Sequence, residues 1–500
     1  MDDDLPELIK KLMQPQRYEG SLSRVELVQT HISWVLLAGD FAYKIKKPIK
    51  LQFLDFSTLA MRRHYCELEL RLNQRYSPEI YLEVLGIYNS ALDPRWTGSG
   101  PPLEFAVKMR RFPEAMRLDH VCERDELSAE VVVELAARVV AMHEGASRAA
   151  ELSEFGNVDS ILGPALDNFE SLEHEFLDDV TRSRLATLKE WTEAEFSRLS
   201  DLMHVRKLAG LVRECHGDLH LGNLVLLNGQ VRMFDCIEFS ENLRWIDVAN
   251  DIAFVYVDLV GHGKQGLANL FFSAVLGKGS DFDATEVLRF YAVYRALVRA
   301  KIAGIRSQQT HHAMQIFLEG IALAESLTAP STPRLVITHG LSGCGKSVAS
   351  AELITRESNS GMLWLRADVE RKKLYGRALT DHAGEAPNEG MYNEDAHART
   401  YSHLLHLTEK LLCGGWSVVV DATFLRRGDR ELFRGLACRL GLAFSVLAPE
   451  ATIAQLKERL RGRILRGDDA SDADENLLGQ QSAELEPLAS DEPVWPKMSV

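Results

Sequence analysis

Two short segments carry residue types at spacings suited to phosphate chemistry. The first is His216-Gly217-Asp218-Leu219-His220-Leu221-Gly222-Asn223. Transfer of a phosphoryl group to a hydroxyl needs a carboxylate beside the acceptor, oxygen ligands for Mg2+ and a cation on the phosphates that stay behind. Asp218 supplies the carboxylate, and Asn223 follows it closely enough to reach a metal ion. Val231-Arg-Met-Phe-Asp235 then ends a short apolar run on a second carboxylate, Asp235, placed as the other metal ligand. The second segment is Gly340-Leu341-Ser342-Gly343-Cys344-Gly345-Lys346-Ser347. It follows the β-branched run Leu335-Val-Ile-Thr338 and opens a helical pattern. In that context Gly340, Gly343 and Gly345 let backbone N–H groups curl around a phosphate, Lys346 reaches the β- and γ-phosphates, and Ser347 Oγ ligates Mg2+. The start of the helix adds partial positive charge.

The remaining parts of each site must come from elsewhere. Ala42-Tyr43-Lys44 has the alternation that aims Ala42 and Lys44 at one strand face, so Lys44 is the expected phosphate cation, with Lys46 on the same face as its competitor. Its acidic helix partner is expected in Tyr65-Cys66-Glu67-Leu68-Glu69, and Glu67 is taken over Glu69. No glycine-rich loop of the G-x-G-x-x-G kind precedes Lys44. The chain that meets the nucleotide base is expected near Lys108 to Phe112. For the second site, Asp421 ends the buried run Ser417-Val-Val-Val-Asp421 as a further metal ligand. Arg366-Ala-Asp368-Val-Glu-Arg371 puts Asp368 and Arg371 near one face of a helix start, a carboxylate for a hydroxyl and a cation for an anionic acceptor. Arg459, Arg463 and Arg466 fall on one helical face, suited to a lid over phosphates. His143 and His220 receive no chemistry, because lone histidines are more often structural.

These residues need two different frames. Five hundred residues exceed one ordinary core. Leu327-Thr-Ala-Pro-Ser-Thr-Pro-Arg334 resists both helix and central strand, so the expected division is a domain over 1–328, a linker over 329–334 and a domain over 335–500. Before the cut, Ser33 to Ala38 and Phe41 to Ile45 read as a hairpin turning at Gly39-Asp40. A helix over Leu59 to Asn73 and a strand over Phe105 to Met109 follow. Amphipathic helices are expected over Leu127 to Gly145 and Ile161 to Leu211. Strands at Asn223 to Leu227 and Val231 to Phe234 flank the turn Asn228-Gly229, and apolar helices fill about Asp247 to Leu327. After the cut, strands at 335–338, 362–365, 417–420 and 444–447 alternate with helices from Lys346, Asp368, Asn393, Arg427 and Ile453, the pattern of a parallel sheet. The expected fold class is an α+β kinase-like two-lobed domain followed by an α/β P-loop NTPase domain with a parallel sheet.

The first part, roughly 25–325, resembles the aminoglycoside phosphotransferase family, a branch of the kinase-like fold. The His216–Asn223 segment and Phe234-Asp235-Cys-Ile-Glu238 carry the resemblance. It implies that Asp218 is the catalytic base, that Asn223 and Asp235 bind Mg2+, and that Asp247 and Asp251 in Arg244-Trp-Ile-Asp247-Val-Ala-Asn-Asp251 hold the loop in shape. The family also lacks the glycine-rich loop. The second part, about 333–490, resembles small kinases of the P-loop superfamily related to polynucleotide 5′-hydroxyl kinase, gluconate kinase and zeta toxin, on Asp421-Ala-Thr423-Phe and Arg466-Gly-Asp-Asp-Ala-Ser-Asp-Ala473. That resemblance implies Asp368 as base, Arg371 as acceptor anchor and Arg463 with Arg466 as lid.

The bulk composition sets the compartment and partners. The chain is 46% apolar and 26% charged, as soluble globular proteins are. A formal net charge of −15 opposes a general affinity for nucleic-acid backbone. Seven dispersed cysteines without a C-x-x-C pair read as reduced thiols. The acidic start Met-Asp-Asp-Asp and the absence of a long apolar run argue for cytoplasm and against a membrane. The expected activity is a bifunctional ATP-dependent kinase, with GTP possible as donor and Mg2+ at both sites. Each site would act on a small-molecule hydroxyl, sugar- or aminoglycoside-like at the first. The alternatives are a polynucleotide 5′-hydroxyl or protein kinase, or a nucleotide-sensing regulator with one inactive domain.

Overall fold

Lys44 sits on the strand Phe41–Lys46, whose two faces divide by chemistry. Tyr43 and Ile45 point into an apolar cluster with Ile9, Trp34, Leu36, Ile87 and Ala106. Alternation turns Ala42, Lys44 and Lys46 to the other face. The strand belongs to a six-stranded antiparallel sheet in the order Val25–Gln29, Ser33–Ala38, Phe41–Lys46, Glu104–Arg110, Tyr81–Ser90, Asp93–Arg95. Its hairpin closes at Ala38↔Phe41 around Gly39 and Asp40. One helix, Leu59–Gln74, lies on the sheet against Glu104–Arg110 and Tyr81–Ser90, started by Thr58, whose hydroxyl accepts the Met61 N–H.

This computed structural model describes residues 5–51, 54–172, 177–307, 311–358, 361–379, 393–466 and 475–496. The chain forms two compact units, one of 1–134, 141–167 and 196–255, the other of 135–140, 168–195 and 256–500. The expected cut near residue 330 falls inside the second unit.

The first unit contains the sheet and the His216–Asn223 loop. The loop is bracketed by two small ladders. Leu224–Leu227 pairs with Gln230–Met233 through the turn Asn228 (φ 51°) and Gly229 (φ 74°), the left-handed pair a tight hairpin requires. Val212–Glu214 pairs with Trp245–Asp247. At the end of that ladder Asp247 accepts two hydrogen bonds from Arg206, at 2.7 and 2.8 Å, and one from the Ala249 N–H at 2.8 Å, which caps the helix Val248–Gly261. The Arg206 side chain is 1% exposed and that of Asp247 3%.

The second unit contains a four-stranded parallel sheet in the order Met362–Arg366, Ser417–Asp421, Arg334–Thr338, Ala443–Leu447. Val418, Val419 and Val420 are fully buried, as a parallel strand covered on both faces should be. Helices of 256–328 pack on this sheet within the unit. The Trp364 N–H donates to Ser273 Oγ at 2.9 Å, and Trp416 Nε1 donates to the Thr285 carbonyl at 3.1 Å while its ring meets Tyr256 and Phe272. The amphipathic pattern over Ile161 to Leu211 corresponds to the helices Val158–Leu172 and Asp179–Leu208. Among the described residues no helix is long and apolar enough to cross a membrane.

Burying an ion pair is costly, and removing one partner leaves the other uncompensated. Asp247→Ala should therefore lower the unfolding free energy by about 3 kcal/mol or more, read from urea melts. A double Arg206→Met, Asp247→Leu variant should recover much of that loss.

Candidate active sites

The first site is assembled by a chain of buried charges. Lys44 Nζ donates to Glu69 Oε1 at 2.8 Å and to Asp235 Oδ1 at 2.5 Å. Lys46 Nζ donates to the other oxygen of the same carboxylate, Glu69 Oε2, at 2.7 Å, and also to Glu238. Lys46 and Glu69 are fully buried. Burial alone would push the Glu69 carboxyl up, but Lys44 and Lys46 overcome it and pull the group down to about 2. Burial dominates at Glu238 and raises it. Lys44, despite burial, is held well above its ordinary range by Asp235, Glu69 and Glu238.

This geometry corrects one expectation. The acid that meets Lys44 is Glu69. Glu67 is exposed and pairs with Arg63, one turn back on the same helix, at 2.8 Å. The Lys44-or-Lys46 choice also changes form, since both lysines share Glu69 and only Lys44 extends to Asp235.

The His216–Asn223 loop is held from below. Asp251 accepts the N–H of His216 at 2.8 Å and that of Gly217 at 2.9 Å, and His143 Nε2 lies 3.4 Å from the same carboxylate. Asn223 Nδ2 donates to the Asp218 carbonyl at 2.9 Å and to Asp218 Oδ2 at 3.0 Å. That leaves the Asn223 amide oxygen as the atom a metal would take. Asp235 adopts φ 64°, uncommon for a side-chain-bearing residue, and its N–H donates to Tyr81 Oη at 2.9 Å. A cavity of about 510 Å³ opens beside Lys44 and Asp235, lined also by Val35, Ala42, Met109 and Phe112 among others. Met109 to Phe112 form the wall expected to meet the base.

The second site lies at the carboxyl ends of the parallel strands. Gly340, Gly343 and Gly345 take φ of 134°, 83° and 100°, so the loop between strand Arg334–Thr338 and helix Lys346–Arg356 curls as expected. Lys346 Nζ donates to the carbonyls of Gly340 and Leu341 at 2.9 and 2.8 Å. Asp421 ends the neighbouring strand, accepts the Trp364 Nε1–H at 3.2 Å and lies within electrostatic reach of the Ser347 hydroxyl. Burial raises the Asp421 carboxyl, against Arg366 and Lys346, which lower it, and with Asp368, which adds to the rise. Asp368 therefore lies within electrostatic reach of Asp421. Arg371 lies one helical turn beyond Asp368, within electrostatic reach of Tyr401.

Sequence reasoning missed the cover of this loop. Leu456, Leu460 and Leu478 pack on Cys344 and Leu341. Gln481 accepts the Ser342 N–H at 2.9 Å and donates to Ser342 Oγ at 3.1 Å. Arg459 donates to the Cys344 carbonyl at 3.3 Å, so this arginine contacts the loop backbone. Arg463 and Arg466 close the helix Ile453–Arg466, but their side chains lie outside the described residues, as do 467–474. Both donor sets, Asn223 with Asp235 and Ser347 with Asp421, are hard oxygen ligands that fit Mg2+.

Comparison with known proteins follows the same division. Residues 335–488 match the family model described as AAA domain. The uncharacterized protein Rv2004c of Mycobacterium tuberculosis (strain ATCC 25618 / H37Rv) is 28% identical over 452 residues, 89% of this chain and 88% of that protein. A solved choline/ethanolamine kinase family protein from Mesorhizobium loti is 12% identical, covers 64% of this chain and 92% of its own, and superposes with a TM-score of 0.40. A putative kinase from Chloroflexus aurantiacus j-10-fl is 20% identical over 33% of this chain and 86% of its own, with a TM-score of 0.26. Among the described residues, the first unit joins a six-stranded antiparallel sheet to helices, and the second holds an α/β arrangement of four parallel strands with the glycine loop between Arg334–Thr338 and Lys346–Arg356.

The Glu69 carboxyl has a titration consequence. Its folded value is depressed from 4.5 to about 2, so the stability it contributes is complete above the unfolded value and disappears as pH falls through the folded one. Glu69→Gln should be markedly less stable than the parent at neutral pH. That deficit should shrink between about 4.5 and about 2, as followed by denaturant melts across the acid range.

Proposed function

We propose that the chain is a bifunctional ATP-dependent kinase with two separate phosphoryl-transfer sites, each acting on a hydroxyl of a small molecule. The single observation that carries this reading is that each site has a full set of side chains for transfer. Asp218, Asn223, Asp235, Lys44 and Glu69 converge in the first unit, and Lys346, Ser347, Asp421 and Asp368 in the second.

At the first site the nucleotide base enters the cavity beside Met109 to Phe112. Lys44, fixed by Glu69, holds the non-transferred phosphates. Asp218 accepts a hydrogen bond from the acceptor hydroxyl and takes its proton as the oxygen attacks the terminal phosphorus, while the bond to the leaving diphosphate oxygen breaks. Asn223 and Asp235 would hold Mg2+, which when bound neutralises charge on the phosphate oxygens. At the second site the loop N–H groups cradle the phosphates and Lys346 exchanges its carbonyl partners for phosphate oxygens. Ser347 and Asp421 would hold the metal. Asp368 serves the acceptor hydroxyl, and Arg371 an anionic group on the acceptor.

A sugar- or aminoglycoside-like acceptor is the proposed class for the first site, and its product or a second hydroxyl compound for the second. A cytoplasmic setting accords with the dispersed free cysteines, five of them buried.

The two sites are tested by separating them. With purified protein, labelled ATP and a metabolite panel, Asp218→Ala should abolish one phosphorylated product and Lys346→Ala a different one, each by about 10³-fold or more. If both single variants retain every product, or both lose the same full set of products, the two-site reading fails.

A further inference from the structure

We infer that His220 is a positioning residue for Asp218, a role that rests on reading the first site as a phosphotransferase. Three contacts fix its ring. Nδ1 accepts the Gly222 N–H at 3.1 Å. An imidazole nitrogen that accepts cannot also carry the proton, so in the neutral ring the hydrogen sits on Nε2. Nε2 lies 3.5 Å from Asp218 Oδ2. The ring face packs on Phe254, with centroids 5.2 Å apart and planes at 52°.

Gly222 makes this placement possible. A Cβ at that position would stand 2.8 Å from His220 Cε1 and 3.0 Å from Nδ1. Any side chain there would expel the ring. The segment His220-Leu221-Gly222-Asn223 thus brings two nitrogens to one carboxylate oxygen, Asn223 Nδ2 in a hydrogen bond at 3.0 Å and His220 Nε2 in a longer contact at 3.5 Å. Together the Asn223 hydrogen bond and the His220 contact oppose rotation of the carboxylate about its Cβ–Cγ bond. Asn223 is also the proposed metal ligand, so its pull on Asp218 changes when a metal is bound. His220 does not share that duty. Its reference is the loop backbone through Gly222, and it keeps Asp218 in register whatever Asn223 does. A small misplacement of a reacting group costs rate without weakening nucleotide binding.

The amides of asparagine and glutamine separate the two ends of the ring. Asparagine keeps an acceptor near the Nδ1 position for the Gly222 N–H and removes the donor toward Asp218. Glutamine keeps a donor near Nε2. The full-length chain in a Lys346→Ala background is assayed for phosphate release from Mg-ATP and for binding of a fluorescent ATP analogue. Asp218→Ala is the reference and should abolish release while analogue binding persists. His220→Asn should lower kcat about tenfold with KM for ATP and the melting temperature unchanged, and His220→Gln should recover most of the rate. A His220→Asn variant with parental kcat overturns the inference, and so does a His220→Gln variant as slow as His220→Asn. Phosphate release that survives Asp218→Ala overturns the reading of the site itself, and the role of His220 with it.

Discussion

One carboxylate, Glu69, takes a buried ammonium on each of its oxygens, and the first site is arranged around that fact. Each buried ion costs several kcal/mol before pairing. Two lysines on one strand face would repel each other, and a single acid between them answers both. The pairing extends in two directions, from Lys44 to Asp235 and from Lys46 to Glu238. It therefore ties the strand Phe41–Lys46, the helix Leu59–Gln74 and the segment Asp235–Glu238 into one electrostatic unit. Lys44 and Asp235, the proposed phosphate cation and metal ligand, are fixed by the same network, so neither can move without exposing an unpaired charge elsewhere.

The second site meets the same chemical demand with backbone in place of buried side-chain pairs. Glycine conformations shape the loop, Lys346 folds back onto its carbonyls, and Trp364 Nε1 donates to Asp421 on the adjoining strand. Gln481 and the leucines of the C-terminal helices hold the loop from the other side. Segments far apart in sequence thus preset a loop whose own residues are small and permissive.

What could be read from the chain follows from how local each signal is. The two phosphate segments were legible because their chemistry depends on spacing within eight residues. The parallel strands were legible because burial on both faces makes them continuous apolar runs, as in Val418 to Val420. Glu69 was missed in favour of Glu67, although a signal existed. Cys66, Glu69 and Leu72 recur every three residues on the buried face, while Glu67 falls with Arg63 on the exposed one. The strands Val25–Gln29 and Tyr81–Ser90 were not legible, because their place in the sheet depends on partners far along the chain. The same holds for Glu238 as partner of Lys46 and Gln481 as partner of Ser342. His220 looked like a lone histidine because its meaning lies in which nitrogen faces the Gly222 N–H, a matter of three-dimensional geometry.

The central claim is that one chain holds two independent nucleotide sites. Its most direct measurement is calorimetric titration of the intact protein with Mg2+ and a non-hydrolysable ATP analogue, taking Lys44→Met and Lys346→Ala alongside the parent. The account predicts two equivalents bound by the parent and one by each variant, with different affinities and heats remaining in the two. A single equivalent bound by the parent, or one variant losing both, would contradict it.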